Sequence, residues 1–228
     1  MNGAAVIIPW RPGCPHREAA LEWVRDRWRG LGIDPILGVH DSAEWCKAAA
    51  VANGLAETTA DTVIVADGDV WCDGIAEALH AAATAPWVIP HKFVHRLTQD
   101  ATADVLAGAA PDLKRTEQRP YSGQPAGGIV ILRRATYDDV PLDAQFVGWG
   151  QEDQSWDLAL RTLAGRPVRF TAPLVHLWHP PQQRLTRSGG SVASRERYRR
   201  YHRARNKPAA MRALVEEGRT WTSTASST

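Results

Sequence analysis

Apolar residues along the chain fall into short unbroken runs, separated by longer stretches in which they recur at helical spacing. "AAVIIP" at 4–9 is a continuous apolar run stopped by proline, which predicts a buried strand. After a turn at Arg11–Pro15, "HREAALEWVRDRWRGLG" places Ala20, Leu21, Val24 and Trp28 on one helical face and closes on Gly30 and Gly32. "DPILGVHD" predicts a second strand. "SAEWCKAAAVANGLAETTA" predicts a helix with Ser42 as N-cap, and "DTVIVADGD" a third strand. Strands that are apolar without alternation, in the order β-α-β-α-β, indicate a mostly parallel central sheet flanked by helices, hence the α/β class. Ligands of such sheets bind at the carboxyl ends of the strands. Pro9-Trp10-Arg11, Asp41 and Asp67-Gly68-Asp69 all fall at those ends.

Further along, "GIAEALHAAATA" predicts a helix and "PWVIPH" a strand. Residues 98–124 read as a long polar loop around a short helix, a length common in lids and binding loops. "AGGIVILRR" is a strand, and "GWGQEDQSWDLALRTLAGRP" a glycine-flanked turn into a helix with Trp156, Ala159, Leu160 and Leu163 on its apolar face. "VRFTAPLVHLWHP" is the last strand-like stretch. Beyond it the character changes: nine Arg or Lys stand against one Glu between Arg184 and Lys207, before a short helix and a Ser/Thr tail. The expected organisation is one domain over 1–181 and a basic, partly helical C-terminal segment over 182–228, its last residues disordered.

Composition narrows the class. At 228 residues, 44% hydrophobic and 23% charged, with a net charge of +2, the chain reads as a soluble globular domain; the charge alone does not indicate a nucleic-acid binder. No apolar run is long enough to span a bilayer, and the N-terminus lacks a secretory pattern. Three cysteines without metal spacing suit a reducing, cytoplasmic setting. Ten tryptophans exceed Phe and Tyr combined, and indole faces suit the C–H faces of sugars.

Chemistry concentrates in three places. Asp67 and Asp69, two apart in extended chain, would lie about 6–7 Å apart on one side and can grip one divalent cation, Mg²⁺ or Mn²⁺, that also holds a substrate phosphate; alternatively Asp-Gly marks a surface turn. His176 and His179 can complete such a shell, and imidazole favours Mn²⁺ over Mg²⁺; they can equally be hydrogen-bonded structural residues. Glu152 and Asp153 open a helix after Trp149, which sits between two glycines. A carboxylate there is either a favourable dipole partner or an ionised base.

Together these residues resemble glycosyltransferases of the GT-A fold, and most specifically the catalytic domain of the β-1,4-galactosyltransferase family. "VIIPWR", "ADGDV", "AGGIVILRR" and "GWGQEDQ" match, in order, that family's Ile-Ile-Pro-Phe-Arg strand, Asp-X-Asp metal motif, Gly-Gly-Val strand and Gly-Trp-Gly-Gly-Glu-Asp motif, over roughly residues 4–180. "KAAAVANGLAETTADTVIVADGD" also looks like the wider sugar-transferase pattern in which a helix leads to the metal strand. Gln151 departs from the pattern by replacing a glycine, and "HLWHP" differs from the galactosyltransferase metal segment. The membrane anchor of Golgi members is not expected here.

The resemblance implies a nucleotide-sugar donor, UDP-linked by preference, and transfer of a hexose to an acceptor hydroxyl with inversion. It implies that Pro9, Trp10 and Arg11 line the nucleotide pocket and that Asp41 contacts base or ribose, with Gly128, Trp149 and Gly150 also lining the donor site, Trp149 as a sugar platform. Asp69 would bind the metal, Asp67 the ribose or a metal water, and His179 in preference to His176 would complete the shell. Asp153 would be the catalytic base and Glu152 a supporting or acceptor contact. Retaining transfer, nucleotidyl transfer and non-catalytic sugar or nucleotide binding are the competing readings. The acceptor (glycan, protein, lipid, small molecule or modified nucleic acid) is open, and the basic segment could contact an anionic partner.

Overall fold

The computed structural model describes residues 3–42, 44–123, 126–181 and 191–219. The strands are β1 (Ala4–Trp10), β2 (Ile36–Val39), β3 (Thr62–Ala66), β4 (Val70–Trp71), β5 (Trp87–Arg96), β6 (Tyr121–Ser122), β7 (Ile129–Arg133) and β8 (Val168–His176). They form one sheet in the order β2-β1-β3-β7-β5-β8-β4, with β6 paired to β5. β1, β2, β3, β5 and β8 run the same way, while β4, β6 and β7 oppose them. The sheet is therefore mostly parallel, with antiparallel β7 set between β3 and β5.

The apolar runs are buried on both faces because side chains alternate along a strand. Ile7, Val63, Val65, Val130 and Leu132 face one core; Val6, Ile8, Ile64, Ile129 and Ile131 face the other. The second core is covered by α1 (Pro15–Gly30), through Leu21, Val24 and Trp28, and by α3 (Ile75–Ala82). The first is covered by α2 (Lys47–Ala56), α5 (Arg134–Asp139), α6 (Glu152–Leu163), α7 (Val192–Ala204) and α8 (Pro208–Gly218). Tyr201 of α7 and Met211, Leu214 and Val215 of α8 are core residues, so the described part of the C-terminal segment packs into the same core as the strands. Residues 182–190 and 220–228, including Arg184, Arg187 and the Ser/Thr tail, lie outside the described residues.

Two differences from the sequence expectation affect the site. α2 begins at Lys47 with Cys46 at its N-cap position, not after Ser42. The preceding loop is tied elsewhere: the Trp45 carbonyl accepts from the Gly148 N–H at 2.7 Å. α2 also sits unusually close to the sheet. A Cβ at Gly38 would lie 2.0 Å from the Ala50 carbonyl oxygen, and one at Gly54 2.7 Å from Ile7 Cγ2. Within the 98–124 loop, α4 (Gln99–Leu106) starts at a Thr98 cap and buries Ala101 and Val105 against Val175 and Leu177. Among the described residues no helix is long and apolar enough to cross a membrane.

Candidate active site

β3 ends at Ala66, and Asp67-Gly68-Asp69 turns the chain into β4 at the carboxyl edge of the sheet. β4 pairs antiparallel with the end of β8, Val70 opposite His176. The Leu177 N–H donates to the Asp69 carbonyl at 2.9 Å, so the His-Leu-Trp-His segment is stitched to the aspartate turn. From α4, Thr102 Oγ1 accepts the Trp178 N–H at 2.8 Å and holds the segment from its other side.

Asp69, His176 and His179 offer ligand atoms all within 4.8 Å of one another. His179 Nε2 lies 3.2 Å from Asp69 Oδ2, and His176 Nε2 4.0 Å from Oδ1. Each histidine's Nδ1 sits 2.8 Å from a backbone carbonyl, Leu177 for His176 and Pro180 for His179. A carbonyl accepts only, so each Nδ1 carries the proton and each Nε2 presents a lone pair toward a carboxylate. Lone pairs facing a carboxylate call for a cation between them, either a second proton or a metal ion. Burial pushes the His176 pKa down, which favours the neutral imidazole that ligates metals. Asp69 is held below the ordinary carboxylate range despite its burial, by His176, His179 and Arg17. One carboxylate and two imidazoles oriented by outer hydrogen bonds suit a divalent transition-metal ion.

Asp67 faces away from this trio. Its Oδ1 accepts from Lys47 Nζ at 3.0 Å and its Oδ2 from the Gly128 N–H at 3.2 Å, while its own N–H donates to the Gly128 carbonyl at 2.8 Å. Gly128 has φ +83°, and a Cβ there would come 2.7 Å from Leu174, so glycine is required on both counts. Lys47 Nζ also donates to Asp153 Oδ1 at 2.9 Å, joining α2, β3 and the first turn of α6. Burial works against the ammonium, but Asp153 and Asp67, with Glu152 beyond, raise its pKa well above the ordinary value. Burial raises Asp153, partly offset by Lys47. Burial and then Asp153 raise Glu152 to about 7.

Among the expected residues, the fold thus brings together Asp67, Asp69, Gly128, Glu152, Asp153, His176 and His179. Trp10 packs beside Gly68, and Pro9 is half-buried one residue earlier on β1. Arg11 lies exposed just past β1, and Asp41 is exposed beyond β2. Trp149 is 45% exposed, on a loop where Gly148, Gly150 and Gln151 all have positive φ. The residue that sequence reasoning missed is Lys47. Its partners are 20 and 106 positions away. The available signal was its rarity, as one of four lysines among 27 basic residues.

No protein-family model matches the sequence, and no curated protein matches it. Solved structures do match. GalNAc-T7, solved with UDP, GalNAc and Mn²⁺, superposes with a TM-score of 0.54 at 12% identity, over 94% of this chain and 54% of that one. Glucosyl-3-phosphoglycerate synthase from Mycobacterium tuberculosis, solved with Mn²⁺, UDP-glucose and phosphoglyceric acid, gives 0.52 at 15% identity, over 90% and 80%. The chain has the GT-A fold. A Drosophila β-1,4-galactosyltransferase 7 mutant, in complex with manganese, UDP-Gal and xylobiose, matches more loosely, with a TM-score of 0.46 at 17% identity over 90% and 74%. In this GT-A fold, both the Asp69 trio and the Lys47 bridge lie at the carboxyl edge of β3, where an open α/β sheet takes its ligand.

Proposed function

We propose that the protein is a metal-dependent glycosyltransferase that moves a hexose from a nucleotide-sugar, a UDP-sugar by preference, to an acceptor hydroxyl with inversion. The observation that carries this reading is the juxtaposition, on one sheet edge, of a carboxylate–imidazole trio with a lysine-bridged carboxylate pair. Asp69, His176 and His179 would hold the ion, and two nitrogen donors favour Mn²⁺ over Mg²⁺. When bound, such an ion supplies Lewis-acid stabilisation of the charge that builds on a diphosphate leaving group.

The other roles belong to the chain's own residues. Trp10, Pro9 and Arg11 flank the nucleotide at the end of β1, and Trp149 offers an exposed indole face to a sugar. Asp153 takes the proton of the acceptor hydroxyl as its oxygen bonds to the anomeric carbon and the bond to the diphosphate breaks. Its raised pKa brings the base nearer the operating pH, where general-base catalysis is most effective. Glu152 supports Asp153 or contacts the acceptor.

The test is a thermal-stability screen of UDP-, GDP- and dTDP-sugars, each with Mn²⁺, Mg²⁺ or EDTA. A ligand of the folded state at a hundredfold excess over its Kd stabilises by about 2.7 kcal/mol. The expected result is stabilisation by a UDP-sugar that requires Mn²⁺ and is abolished by D69A. D153N should keep that stabilisation while transfer falls about 10²–10⁴-fold. No stabilisation by any nucleotide, with or without metal, would overturn the reading.

A further inference from the structure

Asp67 and Asp69 are separated by a single glycine yet face different partners. Asp69 faces two imidazoles, whereas both oxygens of Asp67 already have donors, Lys47 Nζ on Oδ1 and the Gly128 N–H on Oδ2. We propose that Lys47 is the positioning residue for the base, and that Asp67 acts on the reaction through the Asp67–Lys47–Asp153 bridge and not as a ligand of the metal ion. The inference rests on the glycosyltransferase reading above and assigns the two aspartates of the turn to separate tasks.

Three features support it. Asp67 is anchored, because its backbone N–H is tied to the Gly128 carbonyl and its carboxylate cannot turn toward Asp69 without giving up the Gly128 N–H and Lys47 Nζ. Asp153 gives only Oδ1 to Lys47, and its Oδ2 takes no hydrogen bond among the described residues. The bridge therefore fixes the carboxylate and leaves one oxygen for an acceptor hydroxyl. Lys47 also stands at the first residue of α2, where a cation opposes the helix dipole, and its side chain is only 13% exposed. A lysine at so unfavourable a place is accounted for by the two carboxylates it separates. A compact ammonium donates to both at once, which the planar fork of arginine does less well.

Mn²⁺ affinity, measured by the electron-paramagnetic signal of the free ion, separates the two aspartates without any turnover. Loss of even an outer-shell partner typically costs about 10–100-fold in metal affinity. D69N should fall at or beyond that range, while D67N and K47M bind Mn²⁺ as the unaltered protein does. The second arm follows release of UDP from UDP-galactose, UDP-glucose and UDP-N-acetylgalactosamine, with water as acceptor. K47M and D153N should each lower kcat about 10²–10⁴-fold with KM for the donor unchanged, and the double variant should fall no lower than D153N alone. K47R should restore part of the rate. If K47M does not fold, D67N and K47R carry both arms, D67N lowering kcat and leaving Mn²⁺ binding intact. Loss of Mn²⁺ binding in D67N comparable to that in D69N overturns the proposal, as do losses in K47M and D153N that multiply. An unaltered protein that binds no Mn²⁺, or releases no UDP from any donor, overturns the glycosyltransferase reading instead.

Discussion

Gly128 and Gln151, both beside the candidate site, hold left-handed backbone and make opposite demands on a side chain. Gly128 has φ +83° with no room for a Cβ, and its N–H and carbonyl anchor Asp67. Gln151 has φ +76°, at the N-cap of α6 immediately before Glu152, with its side-chain Oε1 buried and unpaired. A left-handed L-residue costs roughly 1–2 kcal/mol, and glycine returns part of that gain to the unfolded chain. Q151G should therefore stabilise by about 0.5–1 kcal/mol, read as a higher urea midpoint at constant slope. G128A should destabilise by about 2 kcal/mol or more, from strain plus the clash with Leu174. Equal and small effects at the two sites would contradict this account. At this scale the sequence marked both positions, Gly128 within a glycine pair and Gln151 as a departure from a glycine motif. It could not show which one the packing would forbid. The histidine pair was legible because its members are three apart on one segment. Lys47 was not, because its role exists only where three distant elements meet.

At the scale of elements, charge counting separated the C-terminal stretch from the domain, whereas helical spacing connects it. Along α7 the buried residues are Ser194, Arg197, Tyr201 and Ala204, one stripe that includes a guanidinium. Arg197 Nε and the Tyr201 hydroxyl both donate to Asp143 Oδ2, and Arg197 Nη1 reaches Glu217 Oε1 of α8 at 3.2 Å. Arg200 pairs with the same glutamate. An arginine run reads as a solvated face unless a carboxylate some 54 positions upstream is known to wait for one of its members. Removing one partner of a buried pair strands the other charge and costs about 3–5 kcal/mol, while removing both is often close to neutral. D143A should show that loss in urea denaturation, and D143A/R197M should recover most of it. A double variant as unstable as D143A would show that Asp143 acts through the Gln145 N–H, which donates to its Oδ1 at 2.8 Å, and not through Arg197. Strand order shows the same limit. The β-α-β-α-β opening was legible in direction as well as type, but the apolar run of β7 says only that it is buried. Its antiparallel placement appears only in the pairing with β3 and β5, residues far from it in the chain.

For the whole molecule, buried His91 and half-buried Glu152 pull pH stability in opposite directions, and variants can separate them. His91 is fully buried beside Gly128. Burial, then the charge of Arg169, lowers its pKa to about 4, so the native protein carries it neutral. Between about 4 and the ordinary histidine value near 6.5 the unfolded chain binds the extra proton. This contribution is therefore complete above about pH 6.5 and is lost as pH falls through 4. Glu152 behaves inversely. Its pKa is raised to about 7, so between the ordinary glutamate value near 4.3 and 7 the native protein binds the extra proton, and stability falls as pH rises across that window. At 1.36 kcal/mol per pKa unit each effect is of order 3–4 kcal/mol, and across pH 4.5–6.5 they largely cancel. Urea unfolding in EDTA should then show E152Q gaining on the unaltered protein as pH rises from 4.5 to 7, with no further gain above. The advantage of the unaltered protein over H91Q should grow from pH 4 to 6.5 and then level off. Gln at 91 can still accept the Ile129 N–H, now 3.5 Å from Nε2, so the comparison isolates the charge. A difference between either variant and the unaltered protein that does not change with pH would mean that the group titrates alike in the folded and unfolded states. For Glu152, that result would remove the electrostatic pressure that burial and Asp153 place on the first turn of α6.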